Sequence, residues 1–281
     1  MASDAHSHPQ DLIDIFPEAE KERRSLNIAC AASSCTKEEF LFHEKLALAA
    51  KEDKTAPVFP CFAVHPQLPA YIAKKNPTCT IADFRDSLDF LSALAAKNKI
   101  AAVGECGFDL YSKEYKETET IQETLFAAHL EIAQHYNLPV VLHVRRAMHK
   151  IFPFAKTLKK LPAVVFHSWP GSPDEASAIL RKGICAHFSF GTTLLLNHKK
   201  AILSCAALPA EHLLLETDAP YQPLQGKEFS CWSDMPAILE AAASIRKEAG
   251  TIQGTEAIEL EEIIDRNFFG IFSNKGSVTR G

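Results

Sequence analysis

The chain has 281 residues, of which 47% are hydrophobic and 23% are charged, and its formal net charge is −5. This composition is typical of a globular protein, and the length suffices for one substantial core, such as an α/β barrel of about 250 residues. Proteins that hold a polynucleotide mainly by neutralising its phosphates are usually basic, so the acidic balance argues against a protein that wraps nucleic acid. It leaves open a small site that handles phosphates through metal ions.

Cysteine usage and the amino terminus both favour a reducing, cytoplasmic setting. The eight cysteines show no C-x-x-C pair and no zinc-finger spacing, and several lie in apolar runs, as buried thiols do. The first residues do not resemble a signal peptide, and no apolar run approaches the roughly 18 residues of a membrane span. We therefore expect a cytoplasmic protein without membrane association, and the sequence indicates no obligate protein partner.

Short apolar runs, many of them β-branched, alternate with longer segments of helical periodicity along the chain. The runs lie near residues 2–5, 27–32, 57–64, 100–104, 139–143, 163–167, 184–189 and 212–217. Thr36-Lys37-Glu38-Glu39 and Ser172-Pro173-Asp174-Glu175 predict capping boxes that begin helices. Further buried helix faces are predicted from apolar spacing at Phe84, Leu88, Leu91 and Leu94, at Leu125, Ile132 and Tyr136, and at Ile258, Leu260, Ile263, Ile264 and Phe268.

The alternation of strands and helices indicates parallel β-α units. A closed (β/α)8 TIM barrel, forming one domain over residues 1–281, accounts for the number of strands most simply. A doubly wound open sheet is the alternative. Such a sheet usually carries a glycine-rich phosphate loop after its first strand, and this chain has neither G-x-G-x-x-G nor a P-loop.

Histidines and carboxylates follow several of the predicted strands directly. Active sites of (β/α)8 barrels lie at the carboxyl ends of the strands. The first run leads into His6 and His8, whose i, i+2 spacing points both side chains to the same side of a strand. Other runs end at His65, Glu105, His143, His167 and Asp218. Because the chain has only 12 histidines, a scattered distribution would not readily place so many at strand ends.

These residue types predict a metal site. Imidazole and carboxylate ligands together suit Zn, Mn, Fe or Co, and they do not exclude Mg. The candidate ligands outnumber those that one tetrahedral ion with an open position needs. They are His6, His8, Glu105, His143, His167 and Asp218. Two ions about 3.5–4 Å apart would use them all and would activate water for hydrolysis, most naturally of a phosphoester.

Each candidate also has a structural interpretation. His6 and His8 could belong to a solvated amino terminus, and His143 and His167 could be core histidines. Glu105 follows an apolar run, where a carboxylate needs a charge partner or a metal. This favours a functional role for Glu105 over a structural one. Their joint occurrence favours the metal site over these separate explanations.

Other motifs carry no predicted chemistry. His43-Glu44 begins like H-E-x-x-H, but position 47 is alanine, so no zincin site forms. Cys106 is predicted to be a small buried residue rather than a nucleophile. The remaining histidines are predicted to be structural or exposed, namely His129, His135, His149, His187, His198 and His212.

Taken together, these residues resemble the TatD-type metal-dependent hydrolases, often called TatD DNases. The resemblance covers nearly the whole chain, and any one of its motifs alone would be weak. In the family's order they are D-A-H-S-H at 4–8, A-V-H-P at 63–66, V-G-E-C-G-F-D at 103–109, Gln122 and Phe126, L-P-V-V-L-H-V-R at 138–145, F-H at 166–167, S-F-G at 189–191, E-T-D-A-P at 216–220, and Asn267.

The resemblance implies a (β/α)8 barrel with a pair of divalent metal ions, which could be Mg, Mn, Zn or Co. The implied activity is phosphodiester hydrolysis, usually of DNA and often from a single-stranded 3′ end. By resemblance, His6 and His8 hold one ion, and His143 and His167 hold the other. Glu105 would bridge the two ions and so take part in catalysis.

The same resemblance assigns Asp218 to the first ion and to the orientation of the attacking water, a catalytic role. It places His65 and Arg145 near the substrate phosphate. The sequence departs from the family at 65–67, which is H-P-Q where the family usually has H-P-H. It departs again at 168–171, which is S-W-P-G in place of C-F-S-G. These departures affect substrate choice rather than the predicted metal ligands.

Three other functions stay open on the sequence alone. An amidohydrolase-type barrel, acting on an amide, a lactone or a small phosphoester, often bridges its metals with a modified lysine where this chain has Glu105. A PHP-type phosphoesterase also opens D-x-H-x-H, but it needs further histidines soon after His8, and the next one is His43. The third is a non-catalytic metal-binding member of the family; the intact set of predicted ligands argues against it, and the missing histidine of H-P-H keeps it open.

Overall fold

A computed structural model of the protein describes residues 2–76 and 78–273. Within them, parallel strands follow one another in chain order around an 8-stranded sheet. The strands are β1 (Ala2–Ser7), β2 (Ile28–Ala32), β3 (Val58–Phe62), β4 (Ala102–Asp109), β5 (Val140–Arg145), β6 (Val164–Phe166), β7 (Ala186–Phe190) and β8 (Leu213–Leu215).

The sheet closes into a barrel because the region of its last strand hydrogen-bonds to the region of its first strand. The backbone N–H of Asp218 donates to the His6 carbonyl oxygen at 2.9 Å, and the N–H of His8 donates to the Ala219 carbonyl oxygen at 2.7 Å. The segment after β8 therefore lies beside β1. The (β/α)8 barrel prediction is confirmed, and the open doubly wound sheet is excluded.

Helices connect the strands and surround the barrel, as β-α units require. They are α1 (Pro9–Ile15), α2 (Ala19–Ser25), α3 (Lys37–Glu52), α4 (Leu68–Ala73), α5 (Arg85–Ala96), α6 (Lys113–Glu117), α7 (Glu119–His135), α8 (Met148–Ile151), α9 (Ala155–Leu158), α10 (Pro173–Arg181), α11 (Lys199–Ala207), α12 (Met235–Glu248) and α13 (Ala257–Phe272). Short 3-10 turns lie at Ile81–Phe84, Phe152–Phe154, Ala210–His212 and Trp232–Asp234.

The predicted capping boxes are both present. The side chain of Thr36 accepts from the backbone N–H of Glu39 at 3.2 Å and begins α3. Ser172 accepts from the N–H of Glu175 at 3.2 Å and begins α10. His43 on α3 is buried and structural, since its Nε2 accepts from the backbone N–H of Gln10 at 3.2 Å.

The last helix, α13, packs against the first halves of the barrel strands. Phe268 and Phe272 are buried there, and their ring centroids lie 5.5 and 6.4 Å from that of Phe59 on β3. The predicted apolar face is correct at Leu260, Ile264 and Phe268. Ile258 is 75% exposed because its side chain points about 200° around the helix axis from that of Leu260. The end of the barrel opposite the strand carboxyl termini is therefore covered by this helix.

Three further features concern the extent of the domain, the cysteines and membrane-spanning helices. The single-domain prediction extends to residue 281, and its last part, 274–281, lies outside the described residues, so it stays a prediction. All eight cysteines fall within the described ranges and are unpaired. Over residues 2–76 and 78–273, every helix is too short or too polar to span a bilayer.

Candidate metal centre at the carboxyl ends of the strands

The Glu105 carboxylate lies at the centre of the predicted ligands. Its Oε1 atom lies 2.6 Å from Nδ1 of His143 and 2.9 Å from Nε2 of His167. Its Oε2 atom lies 3.2 Å from Nε2 of His6 and 3.8 Å from Nε2 of His8. The two oxygens of one carboxylate therefore face two different pairs of imidazoles.

Asp218 and His65 lie on opposite sides of this arrangement. The Oδ1 atom of Asp218 lies 3.7 Å from Nε2 of His6 and 3.6 Å from Nε2 of His8, so it belongs to the amino-terminal pair. Nε2 of His65 lies 3.3 Å from Oε1 of Glu105, beside the other pair. In three overlapping groups, one ligand atom from each residue lies within 4.8 Å of the others. These groups are His6, Glu105 and His167; His6, His8 and Asp218; and His65, Glu105 and His143.

A β-bulge turns Glu105 into the barrel mouth. Along β4, Gly104 pairs with Val141 and Cys106 pairs with the next residue of β5, Leu142, so Glu105 is the extra residue. A bulge re-aims the side chain it carries. This local irregularity explains how one carboxylate reaches histidines from β1, from β5 and from the segment after β6.

Burial makes the charges of the cluster depend on one another. Burial alone would raise the pKa of Glu105, but the surrounding imidazoles, foremost His167, hold it well below its ordinary value. Burial lowers the pKa of His8 well below its ordinary value. For His167, burial is outweighed by the carboxylates of Glu105 and Glu216, which raise its pKa. An ionised Glu105 and a neutral His8 are the forms in which carboxylates and imidazoles bind cations.

A cavity of about 1040 Å³ opens over the cluster. Arg145 is exposed at the end of β5 and lines this cavity, and its guanidinium carbon lies 3.8 Å from the centre of the Tyr111 ring. His65 and Gln67 line the cavity as well. The predicted substrate-side residues are therefore at the cavity wall, next to the candidate ligands.

Comparison with known proteins identifies the family. The family model for TatD-related DNases matches residues 3–273. The chain belongs to this family. It is 32% identical over 192 residues to the 3′-5′ ssDNA/RNA exonuclease TatD of Musicola paradisiaca, an alignment covering 64% of this chain and 67% of that protein. It is 34% identical over 201 residues to the protein of the same name from Dickeya dadantii, covering 66% and 70%.

Solved TatD structures share the fold. YJJV, a TatD homologue from Escherichia coli, is 24% identical with a TM-score of 0.75, covering 97% of this chain and 98% of its own. A TatD family hydrolase from Entamoeba histolytica is 18% identical with a TM-score of 0.70, covering 96% and 97%. These likenesses support the barrel architecture alone.

Beside these candidate ligands, buried carboxylates for which the sequence predicted no role lie close to the histidine rings. Nε2 of His143 lies 3.1 Å from Oδ2 of Asp109, and the Gln67 amide donates to the same oxygen at 2.7 Å. Nδ1 of His167 lies 3.4 Å from Oε1 of Glu216. Such partners fix the tautomer and direction of a ligating imidazole. Gln67, which stands where the family usually has histidine, thus holds Asp109 in place.

The buried carboxylate of Asp4, on β1, connects two segments that carry candidate ligands. Its Oδ1 accepts from the backbone N–H groups of His6 at 3.2 Å and Thr217 at 3.0 Å, and its Oδ2 accepts from the Thr217 hydroxyl at 2.7 Å. The carboxylate therefore joins β1 to the segment carrying Asp218. Asp4, Asp109 and Glu216 all lie within the family motifs of the sequence, so a charged residue inside an apolar strand end was the signal for them.

Proposed function

We propose that this chain is a metal-dependent nuclease that hydrolyses phosphodiester bonds from the 3′ end of single-stranded DNA, with RNA as a second substrate. The observation that carries the proposal is the Glu105 carboxylate, whose two oxygens face separate histidine pairs. The relatives named 3′-5′ ssDNA/RNA exonuclease TatD support the substrate and the direction. An open cavity above the cluster leaves room for a strand end.

The donor set fits two divalent cations. Imidazole nitrogens and carboxylate oxygens that converge within 4.8 Å, several of them buried, are a set that Mg, Mn, Zn or Co can bind. We assign one cation to His6, His8 and Asp218, and the other to His143 and His167, with Glu105 shared by both. Bound there, such ions would lower the pKa of a water molecule and stabilise charge on the phosphate.

Asp218 is assigned as the group that orients the attacking water and accepts its proton. The Gln222 amide donates to Oδ2 of Asp218 at 2.6 Å, which leaves Oδ1 facing the histidines. Burial raises the pKa of Asp218 to about 6 in the metal-free site, and a carboxylate positioned beside a water molecule can accept its proton. His65 and Arg145 are assigned to the substrate phosphate, because both line the cavity and a guanidinium suits phosphate oxygens.

The test is cleavage of a 5′-labelled single-stranded DNA oligonucleotide by chelator-treated protein given Mg, Mn, Zn or Co in turn. We expect a ladder of products shortened from the 3′ end with at least one metal. Asp218→Asn keeps a ligand oxygen but removes the base, so it should lose about 10²- to 10⁴-fold in activity while retaining bound metal. Asp86→Asn, at an exposed carboxylate, is the matched control and should behave as wild type.

Two results would contradict parts of the proposal. If metal is bound but no metal supports cleavage, the proposed nucleic-acid substrate is wrong. The site would then act on a small phosphoester or an amide, or it would have a non-catalytic role. Equal loss of metal and activity in Asp218→Asn would contradict the assignment of this residue as the base.

A further inference from the structure

Half-exposed tyrosines surround the mouth of the barrel. Among the described residues, the aromatic side chains that are both large and well exposed are Tyr71, Tyr111 and Tyr221, at 50%, 46% and 50%. Tyr71 and Tyr221 line the cavity above the candidate metal centre, and Tyr111 stacks with Arg145, which also lines it. Exposed aromatic rings gathered at one cavity indicate a surface for a ligand with flat faces.

Tyr221 is exposed and yet firmly held. Its hydroxyl donates to Oδ2 of Asp11 at 2.8 Å, and its backbone N–H donates to the Asp218 carbonyl oxygen at 2.7 Å. Its ring centroid lies 5.0 Å from that of His8, with the planes at 84°. The ring is therefore fixed directly beside a candidate metal ligand, and little conformational entropy would be lost when it binds a partner.

The charges around the cavity are unevenly distributed. Arg145 lines it from the end of β5, and Lys199 and Lys200 line it from the segment after β7. Asp11 and Glu39 line it from the segments after β1 and β2, on the side where Tyr221 is anchored. A polyanion is attracted to the first side and repelled from the second, so its phosphates belong near the basic residues and its bases face Tyr221.

We propose that Tyr221 is a stacking surface for a base next to the scissile phosphate, and that this contact selects single strands. The inference rests on the proposed nuclease function and adds a specificity-determining residue to it. A base in a single strand is free to turn onto an aromatic ring, whereas a paired base in a duplex is not. Stacking on tyrosine does not depend on base identity, which suits an enzyme that removes successive nucleotides.

The test combines a variant series with oligonucleotides that lack bases. Wild type, Tyr221→Phe, Tyr221→Ala and Tyr221→Leu are compared on an intact single-stranded DNA and on one whose last two 3′ residues are abasic. The intact strand should show a KM about 10-fold higher with Tyr221→Ala and Tyr221→Leu, with kcat nearly unchanged. Tyr221→Phe keeps the ring but loses the hydrogen bond to Asp11, so its KM should lie between those of wild type and Tyr221→Ala. The Leu variant keeps an apolar side chain but lacks the aromatic ring. It therefore tests the ring even if Tyr221→Ala fails to fold.

The abasic strand identifies the contact. Wild type should bind and cleave it about 10-fold less well than the intact strand, and Tyr221→Ala should cause no further loss. Fluorescence anisotropy of the same strands with chelator-treated protein gives a second measurement that does not require turnover. Equal losses on intact and abasic strands would overturn stacking while leaving the nuclease intact. A wild type that neither binds nor cleaves any strand would overturn the proposed function and this inference with it.

Discussion

The chemistry of the site depends on which atom of each side chain faces its neighbour. Glu105 presents Oε1 to His143 and His167 and Oε2 to His6 and His8. A carboxylate with both oxygens directed in this way can give one oxygen to each of two cations. The identities of these residues were predictable from the sequence, but the direction of each oxygen was not.

Replacement of Glu105 tests its shared position. Glu105→Ala should reduce metal content on both sides of the cluster, because the residue contributes an oxygen to each side. Metal bound per chain after dialysis against limiting metal measures this effect. Glu52→Ala, at an exposed glutamate on α3, is the control and should retain the wild-type content. A Glu105→Ala protein with two fully occupied sites would refute bridging.

Asp109 offers a test of ring orientation. Its Oδ2 lies 3.1 Å from Nε2 of His143 and accepts from the Gln67 amide. Asp109→Asn should weaken metal binding on the His143 side about 10- to 100-fold, because the imidazole loses the carboxylate that fixes its direction. Binding on the His6 side should change little. Stepwise titration of chelator-treated protein separates the two sides, and uniform weakening of both would argue against a local orienting role.

The elements differ in how far their sequences determined them. The capping boxes at Thr36 and Ser172 depend on residues within one turn, so the sequence located them correctly. The predicted run 100–104 became a longer strand, β4, because a bulge at Glu105 lets the pairing with β5 continue to Asp109. A bulge is defined by the neighbouring strand, and a single run of residues contains no sign of it.

The last helix contributes stability at the far end of the barrel. Phe268 on α13 is fully buried and contacts Phe59 on β3. Phe268→Ala should lower the free energy of unfolding by about 3–5 kcal/mol, since it leaves a cavity in a packed core. Ile258→Ala on the same helix, at a position 75% exposed, should change it by less than about 0.5 kcal/mol. Urea denaturation measures both, and similar values for the two would contradict the packing of α13 against the barrel.

At the scale of the whole molecule, buried histidines link folding to pH. His129 is fully buried, its Nε2 accepts from the Val64 N–H at 3.0 Å, and burial lowers its pKa to about 4. In the unfolded chain its pKa is near 6.5, so between about pH 6.5 and 4 only the unfolded state binds this proton. The stability that neutral His129 contributes is therefore present above pH 6.5 and is lost as the pH falls.

A variant isolates this contribution from those of other groups. The difference in unfolding free energy between wild type and His129→Gln should fall by about 1.2 kcal/mol for each pH unit between pH 6 and 4.5. Urea denaturation of metal-free protein at several pH values gives this difference. Gln134→Ala, at an exposed and non-titrating residue of the same helix, should show no such slope. A constant difference for His129→Gln would mean that His129 is protonated in the native state.

The sequence by itself determined where most of the elements lie, the family resemblance and the candidate ligands, because strand periodicity, helix caps and residue types are local properties of the chain. Only the tertiary structure decided that the segment carrying Asp218 lies beside β1, where Asp4 binds Thr217 from 213 residues away. It also decided that Gln67 holds Asp109 and that Tyr221 lies beside His8. These contacts join residues far apart in the chain, and closure of the barrel brings them within hydrogen-bonding and stacking distance.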